Sequence, residues 1–255
     1  MAHDATHPKA FHHPHEGCGL PERDRVLMSF DDFCFAYEER PTLRHVSLDV
    51  YAGDSVVLMG DNGSGKSTLL KAMSGLVFAQ RGSYRFDGEE VSEASMRDAS
   101  FAKRLHQRVG FIFQDSDAQL FCASVEDEIA FGPRQMGLGE EEVRRRVDDV
   151  CRMIGIDELR GRAPWALSGG EKKKVAIGCI LSMNPDVYCF DEPLNGLDAR
   201  TRAWLLGFLH QLKDAGKTLV IATHDQSLAD EVADYFVYMG DFHEYGDRPH
   251  VHINQ

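Results

Sequence analysis

The stretch Ser55-Val-Val-Leu-Met-Gly60-Asp-Asn-Gly-Ser-Gly-Lys66-Ser-Thr-Leu-Leu-Lys-Ala-Met-Ser-Gly75 decides the core of this chain. Residues 55–59 form a short, largely apolar run that ends in glycines, the pattern of a strand buried on both faces. Residues 60–67 fit G-x-x-x-x-G-K-[ST], and helical spacing opens at Lys66. Glycines let successive backbone N–H groups turn inward as an anion nest, and the helix N-terminus adds a favourable dipole. Gly60, Asp61, Asn62, Gly63, Ser64, Gly65, Lys66, Ser67 and Thr68 are therefore expected to cradle the phosphates of a nucleotide. Lys66 is expected at the β- and γ-phosphates of ATP, and the Ser67 hydroxyl in the shell of a Mg2+ ion.

Such a site also needs a carboxylate at the end of a buried strand. The apolar run Val187–Phe190 leads straight into Asp191-Glu192. Asp191 suits the Mg2+-holding role, directly or through water. Glu192, one residue on, suits the base that polarises a water attacking the γ-phosphate.

Composition narrows the setting. The 255 residues carry 28 Lys and Arg against 41 Asp and Glu, a net charge of −13, which argues against a nucleic-acid surface. Hydrophobic content of 43% with 27% charged excludes wholesale disorder. No apolar run is long enough to cross a bilayer, and the N-terminus lacks a signal-peptide layout, so a cytoplasmic setting is expected. Cys18, Cys34, Cys122, Cys151, Cys179 and Cys189 are scattered without a CxxC pair, and are read as unpaired and mostly structural.

Outward from the glycine loop, strands and helices alternate. Arg25–Phe35 and Leu43–Val50 alternate apolar and polar side chains and predict antiparallel strands. Val109–Phe113, Val187–Phe190, Thr218–Ala222 and Tyr235–Met239 read as further strands, and Ala199–Lys213 as a helix. Helical spacing dominates from Glu126 to Met183, most clearly over Glu140–Ile154. The fold class is α/β: a nucleotide-binding core with a largely parallel sheet, an antiparallel β subdomain, and a helical subdomain inserted over residues 115–183. Residues 26–240 are assigned to this domain, with mobile histidine-bearing tails at 1–25 and 241–255. The C-terminal tail contains a possible short strand at 251–253. Eight of the 12 histidines lie in those tails.

Leu167-Ser168-Gly169-Gly170-Glu171 lies between the helical stretch and Asp191. With the glycine loop and the Asp191-Glu192 pair, it makes residues 26–240 resemble the nucleotide-binding subunit of an ATP-binding cassette (ABC) transporter. The resemblance implies that Ser168, Gly169 and Gly170 bind the phosphate of an ATP held by a second cassette, in a head-to-tail dimer. It also implies that Gln114, after Val109–Phe113, contacts Mg2+ or the attacking water. Asp198 would lie across the dimer interface, and His224 would contact the γ-phosphate. Tyr37 would stack on adenine, although Phe35 and Tyr37 also suit ordinary packing. Asp61, Glu171 and Leu194-Asn195 depart from the family's usual residues without removing a group that hydrolysis needs.

The run Gln114-Asp-Ser-Asp-Ala-Gln119-Leu-Phe121, followed by SVEDEIAFGP, is similar to the energy-coupling-factor group of importers, as is LSGGEKKKVAIG. That likeness implies a peripheral ATPase on the cytoplasmic face of the cell membrane, paired with a second ABC ATPase as homodimer or heterodimer. Its partners would be a transmembrane scaffold, met by Phe111–Phe131, and a substrate-binding membrane subunit. The histidine tails favour nickel or cobalt as the cargo, with a vitamin such as biotin or a cobalamin precursor as the alternative. A soluble ABC ATPase without a transporter is the other class. One cassette, no heptad arm and the charge of −13 count against it.

Overall fold

The computed structural model describes residues 25–239 and a strand at 250–253. Apart from Arg25 and that strand, the expected tails lie outside the described residues. The first two strands are β1 (Val26–Tyr37) and β2 (Arg40–Tyr51), paired antiparallel as their alternation predicts. Next come β3 (Ser55–Met59) and α1 (Lys66–Met73), the two elements that frame the glycine loop. Strands β4 (Arg81–Phe86) and β5 (Glu89–Glu90) extend the first sheet in the order β2-β1-β4-β5. Residues 81–108 carried no sequence expectation. Besides those strands, they form α2 (Glu93–Met96) and α3 (Ala99–Arg108). Only Tyr84 and Phe86 mark β4, and only Phe101 and Leu105 mark the buried side of α3, too few positions for a periodicity to stand out.

Strand β6 (Val109–Ile112) leads into the helical segment α4 (Val125–Gln135), α5 (Glu140–Ile154) and α6 (Gly169–Leu181). The chain returns to the sheet through β7 (Val187–Asp191), α7 (Ala199–Asp214) and β8 (Thr218–Ala222). It then passes through α8 (Gln226–Val232) and β9 (Tyr235–Tyr238) to β10 (His250–Ile253). The second sheet has the order β10-β9-β3-β8-β7-β6 and is parallel except for β10, which pairs antiparallel with β9.

The central strands are buried on both faces, which is why they read as apolar runs. Val57, Tyr188, Phe190, Leu219 and Ile221 face a core built with α4 to α8. Val56, Leu58, Val187, Cys189 and Val220 face the opposite core, which contains α1, α3 and the antiparallel sheet. Helix α1 therefore lies between the two sheets, fixed by Leu69, Leu70, Ala72 and Met73. Phe111 is buried in this second core and so does not belong to the surface expected over Phe111–Phe131; the chain first becomes exposed at Gln114, where β6 has ended. Among the described residues, no helix is long and apolar enough to cross a membrane.

The antiparallel sheet depends on one close approach. Gly82 has φ +78°, and a Cβ there would lie 2.2 Å from the Asp32 carbonyl oxygen and 2.3 Å from that of Asp31. Gly82→Ala therefore combines a disfavoured backbone with a backbone clash, and is expected to cost about 2–4 kcal/mol. Denaturant unfolding should show a lower midpoint with an unchanged slope.

Candidate functional site

Parallel pairing brings three strand ends to one edge. Leu58 of β3 stands opposite Ala222 of β8, and Ala222 stands opposite Asp191 of β7. The segments that follow those strands carry Lys66 and Ser67 at the start of α1, Glu192, and Thr223 with His224. An open parallel sheet binds its ligands at this end of its strands.

The glycine loop leaves β3 through Gly60, whose φ is +144°. A Cβ there would fall 2.1 Å from the Met239 carbonyl oxygen, so only glycine lets the loop start against the end of β9. The Lys66 ammonium is turned inward and donates to the carbonyls of Gly60 (2.6 Å) and Asp61 (2.8 Å). Burial pushes its pKa down, opposed by the charges of Glu192, Asp191 and Asp61. The Ser64 hydroxyl is buried without a hydrogen-bond partner among the described residues. A loop with an orphaned hydroxyl and a lysine resting on its own carbonyls, at a helix N-terminus, suits phosphate oxygens. Thr68 is buried in the first turn of α1, while Asp61, Asn62 and Gly63 are exposed at the loop's tip.

Ser67 Oγ donates to Asp191 Oδ1 at 2.8 Å, tying the start of α1 to the end of β7. Burial raises the Asp191 carboxyl, the Ser67 hydrogen bond opposes that, and neighbouring Glu192 adds to it. This buried set of oxygens suits a hard divalent cation. Glu192 sits at φ 43°, and its amide donates to the Ala222 carbonyl (2.9 Å). His224 Nδ1 lies 2.9 Å from Glu192 Oε1, and Thr223 Oγ1 donates to Glu192 Oε2 at 3.2 Å. Asp225, just beyond, caps α8 and pairs with Arg202 of α7 at 2.7 Å, fixing the loop that carries His224.

The other expected residues lie apart from this cluster. Ser168 is the N-cap of α6 and forms a capping box with Glu171, whose pKa the Ser168 hydroxyl and amide lower. Asp198 caps α7 and accepts from Thr201 N (2.9 Å) and Thr201 Oγ1 (3.1 Å). A Cβ on Gly170 would meet Thr201 Oγ1 at 2.7 Å, so Ser168–Gly170 and Asp198 share one surface. Tyr37 ends β1 with 43% of its surface exposed and its ring edge-on to Phe35, centroids 4.8 Å apart. The Gln114 side chain is exposed just beyond β6.

Side chains to which sequence reasoning gave no such role hold the Gln114 loop. Lys173 is only 2% exposed, and its ammonium donates to the carbonyls of Phe113 (3.0 Å) and Gln114 (3.2 Å). Gln119 accepts from Phe113 N (3.4 Å) and donates to Ala176 O (3.2 Å). Lys172 adds an ion pair with Asp117 at 2.5 Å. The segment 113–119 is thereby bound to α6, the helix that Ser168 opens. In sequence, Lys172, Lys173 and Lys174 stand only within the run LSGGEKKKVAIG, which gives none of them a role. The available signal was that Lys173 stands one helical turn before Ala176 and Ile177, on the buried face.

Comparison with known proteins agrees with this architecture. Residues 43–195 match the family described as ABC transporter. The chain is 41% identical over 218 residues to the nickel import ATP-binding protein LarO of Lactiplantibacillus plantarum, covering 86% of this chain and 90% of that protein. It is 37% identical over 214 residues to the energy-coupling factor transporter ATP-binding protein EcfA2 of Methanospirillum hungatei, covering 84% of this chain and 53% of that one. Among solved structures, cbiO1 of Clostridium perfringens, part of the ABC transporter complex cbiONQ, superposes with a TM-score of 0.77 at 30% identity. That match spans 89% of this chain and 88% of cbiO1.

Burial pushes the Lys173 ammonium down to about 8 from an ordinary value of 10.5, against the pull of Asp191 and Asp115. Between those values the unfolded chain binds more protons at this residue than the folded one, so its contribution to stability rises with pH across that window. Lys173→Met removes the contribution. Urea unfolding of both proteins at about pH 7.5 and about pH 9.5 should show a smaller gain, or a larger loss, for the variant.

Proposed function

The chain belongs to the ABC transporter family as an ATP-binding subunit with the ABC ATPase fold, and on that premise we propose that it energises an energy-coupling-factor type importer of nickel or cobalt. The observation that carries the ATPase chemistry is the Glu192–His224 contact of 2.9 Å at the sheet edge that holds Lys66, Ser67 and Asp191. Lys66 and the backbone N–H groups of residues 60–68 bind the phosphates and offset their charge. Ser67 and Asp191 would hold Mg2+, with Gln114 contacting the ion or the attacking water, and the ion would supply charge neutralisation on the phosphates. Glu192 accepts a proton from the attacking water. Thr223 holds one of its carboxylate oxygens, and His224 contacts the other and the γ-phosphate. Tyr37 stacks on the adenine. Electrostatic positioning by groups already in place supplies most of the rate.

The working unit in this reading is a pair of cassettes. Ser168, Gly169 and Gly170 of one subunit close on the ATP held by the other, with Asp198 beside them. Closure acts on α6, and Lys172, Lys173 and Gln119 carry its movement to the Gln114 loop. Beyond that loop, Phe121 is 68% exposed and its ring meets Phe131 edge-on at 5.0 Å, an apolar patch suited to the cytoplasmic helices of a membrane scaffold. Glu128 accepts from the amides of Phe121 and Cys122 and fixes the patch on α4. The metal cargo is supported by the likeness to a nickel import protein and by the histidines of the chain's ends.

Glu192→Gln should lower kcat by on the order of 100-fold or more while ATP and the closed dimer are retained. Single-turnover assays with gel filtration check both, and rapid turnover would refute the role of Glu192. For the cargo, cells lacking this subunit should lose uptake of labelled Ni2+ or Co2+. Unchanged metal uptake together with a new vitamin requirement would overturn the metal reading.

A further inference from the structure

The first two strands bring together three residues that the nucleotide site does not use. Asp32 and Cys34 lie on β1 and His45 on β2, and one ligand atom from each falls within 4.8 Å of the others. His45 Nδ1 is 2.6 Å from Asp32 Oδ1. Cys34 Sγ accepts the His45 amide at 3.2 Å and donates to the Asp32 carbonyl at 3.5 Å. All three side chains are partly buried, so the cluster is shaped by the fold yet open to solvent on one side.

The backbone is bent to make this cluster. Between the pairs Phe30↔Leu48 and Phe33↔Val46 the register slips by one residue on β1. Between Phe33↔Val46 and Phe35↔Leu43 it slips by one residue on β2. Asp32 and His45 occupy these opposed bulges, both in the left-handed region at φ 49° and φ 51°. Neither residue is glycine, and a bulge re-aims the side chain it carries. Two such conformations on either side of one strand pair, turned toward each other, mark a place where the fold holds side chains against the local preference of the backbone.

We propose that Asp32, Cys34 and His45 bind a transition-metal ion of the Zn2+, Co2+ and Ni2+ class. An imidazole, a thiolate and a carboxylate form a borderline donor set, and three protein ligands leave a fourth position for water. The surrounding contacts suit that role. Arg81 Nε holds Asp32 Oδ2 at 3.1 Å and leaves Oδ1 directed at His45. The Ser47 hydroxyl accepts the Asp32 amide at 3.2 Å, and the His45 amide is aimed at the sulfur, where it favours the thiolate. A metal on Nδ1 takes the neutral His45 tautomer whose hydrogen sits on Nε2, so the Nδ1 contact with Asp32 is replaced by two metal bonds, and the Cys34 thiol releases its proton to solvent as the thiolate binds. The assignment rests on these strands alone and is independent of which ion the transporter moves. The spacing of cysteines along the chain cannot reveal it, because only one ligand is a cysteine and the histidine arrives from the next strand.

Anaerobic titration of the full-length protein with Co2+ under reducing conditions tests the assignment. Histidines elsewhere in the chain also take up Co2+, but only a sulfur ligand gives a cobalt–thiolate charge-transfer band in the near ultraviolet. The band should appear in the wild type, vanish in Cys34→Ser, persist in Cys18→Ser, and bleach when Zn2+ is added. His45→Asn, a residue that tolerates the left-handed backbone, should weaken the Co2+ affinity of the band by about tenfold or more. Zn2+ should raise the melting temperature of the wild type and leave that of Cys34→Ser unchanged. Absence of the band from the wild type, or its survival in Cys34→Ser, would overturn the proposal and leave the cluster as an Asp32–Arg81 ion pair with His45 hydrogen-bonded to Asp32.

Discussion

Everything at the nucleotide-binding edge depends on the parallel register of β3, β8 and β7. Leu58, Ala222 and Asp191 stand side by side, so the loops that follow them leave the sheet at the same height. A slip of one residue in any of these strands would exchange its two faces and misplace the group that follows it. Burial on both faces holds the register, since α1 with the antiparallel sheet covers one side and α4 to α8 cover the other. The Ser67–Asp191 hydrogen bond and the Glu192–His224 contact are consequences of that alignment.

A second set of contacts relates this edge to the rest of the molecule. The loop after β6 carries Gln114, and it is held by side chains of α6, whose first residues are the Ser168–Gly170 segment. A buried lysine is costly in the charged state, and two backbone carbonyls repay only part of the desolvation. Lys173 therefore indicates that the junction is maintained despite its cost. The same helix abuts Thr201 and so the Asp198 cap. One helix thus links three surfaces that, among the described residues, have no side-chain hydrogen bonds to Lys66 or Glu192.

Elements whose pattern is local were legible in the sequence. The loop from Gly60 to Ser67 carries its own geometry, because glycines, a lysine and a hydroxyl at fixed spacing serve one purpose. Helix α5 announced itself through Val143, Val147, Val150 and Ile154, all buried. The antiparallel strands were legible, but their ends were not: β1 runs on to Tyr37, and β2 begins at Arg40 and contains Pro41. Strand β4 was missed because its two apolar residues resemble a loop until β1 lies beside them. Phe111 looked like surface because it adjoins an exposed motif, whereas its position in β6 buries it.

The amino-acid sequence by itself determined the α/β class, the phosphate loop, the carboxylate pair after β7 and the family, because each is written in residues close together along the chain. Only the tertiary structure decided which side chains meet. It set Thr223 and His224 against Glu192, buried Lys173 under the Gln114 loop, and brought His45 across to Asp32 and Cys34. Those contacts depend on strand register, opposed bulges and helix facing. These properties arise when separate segments pack, and a spacing such as that of Lys173 with Ala176 and Ile177 marks a buried face without naming what covers it.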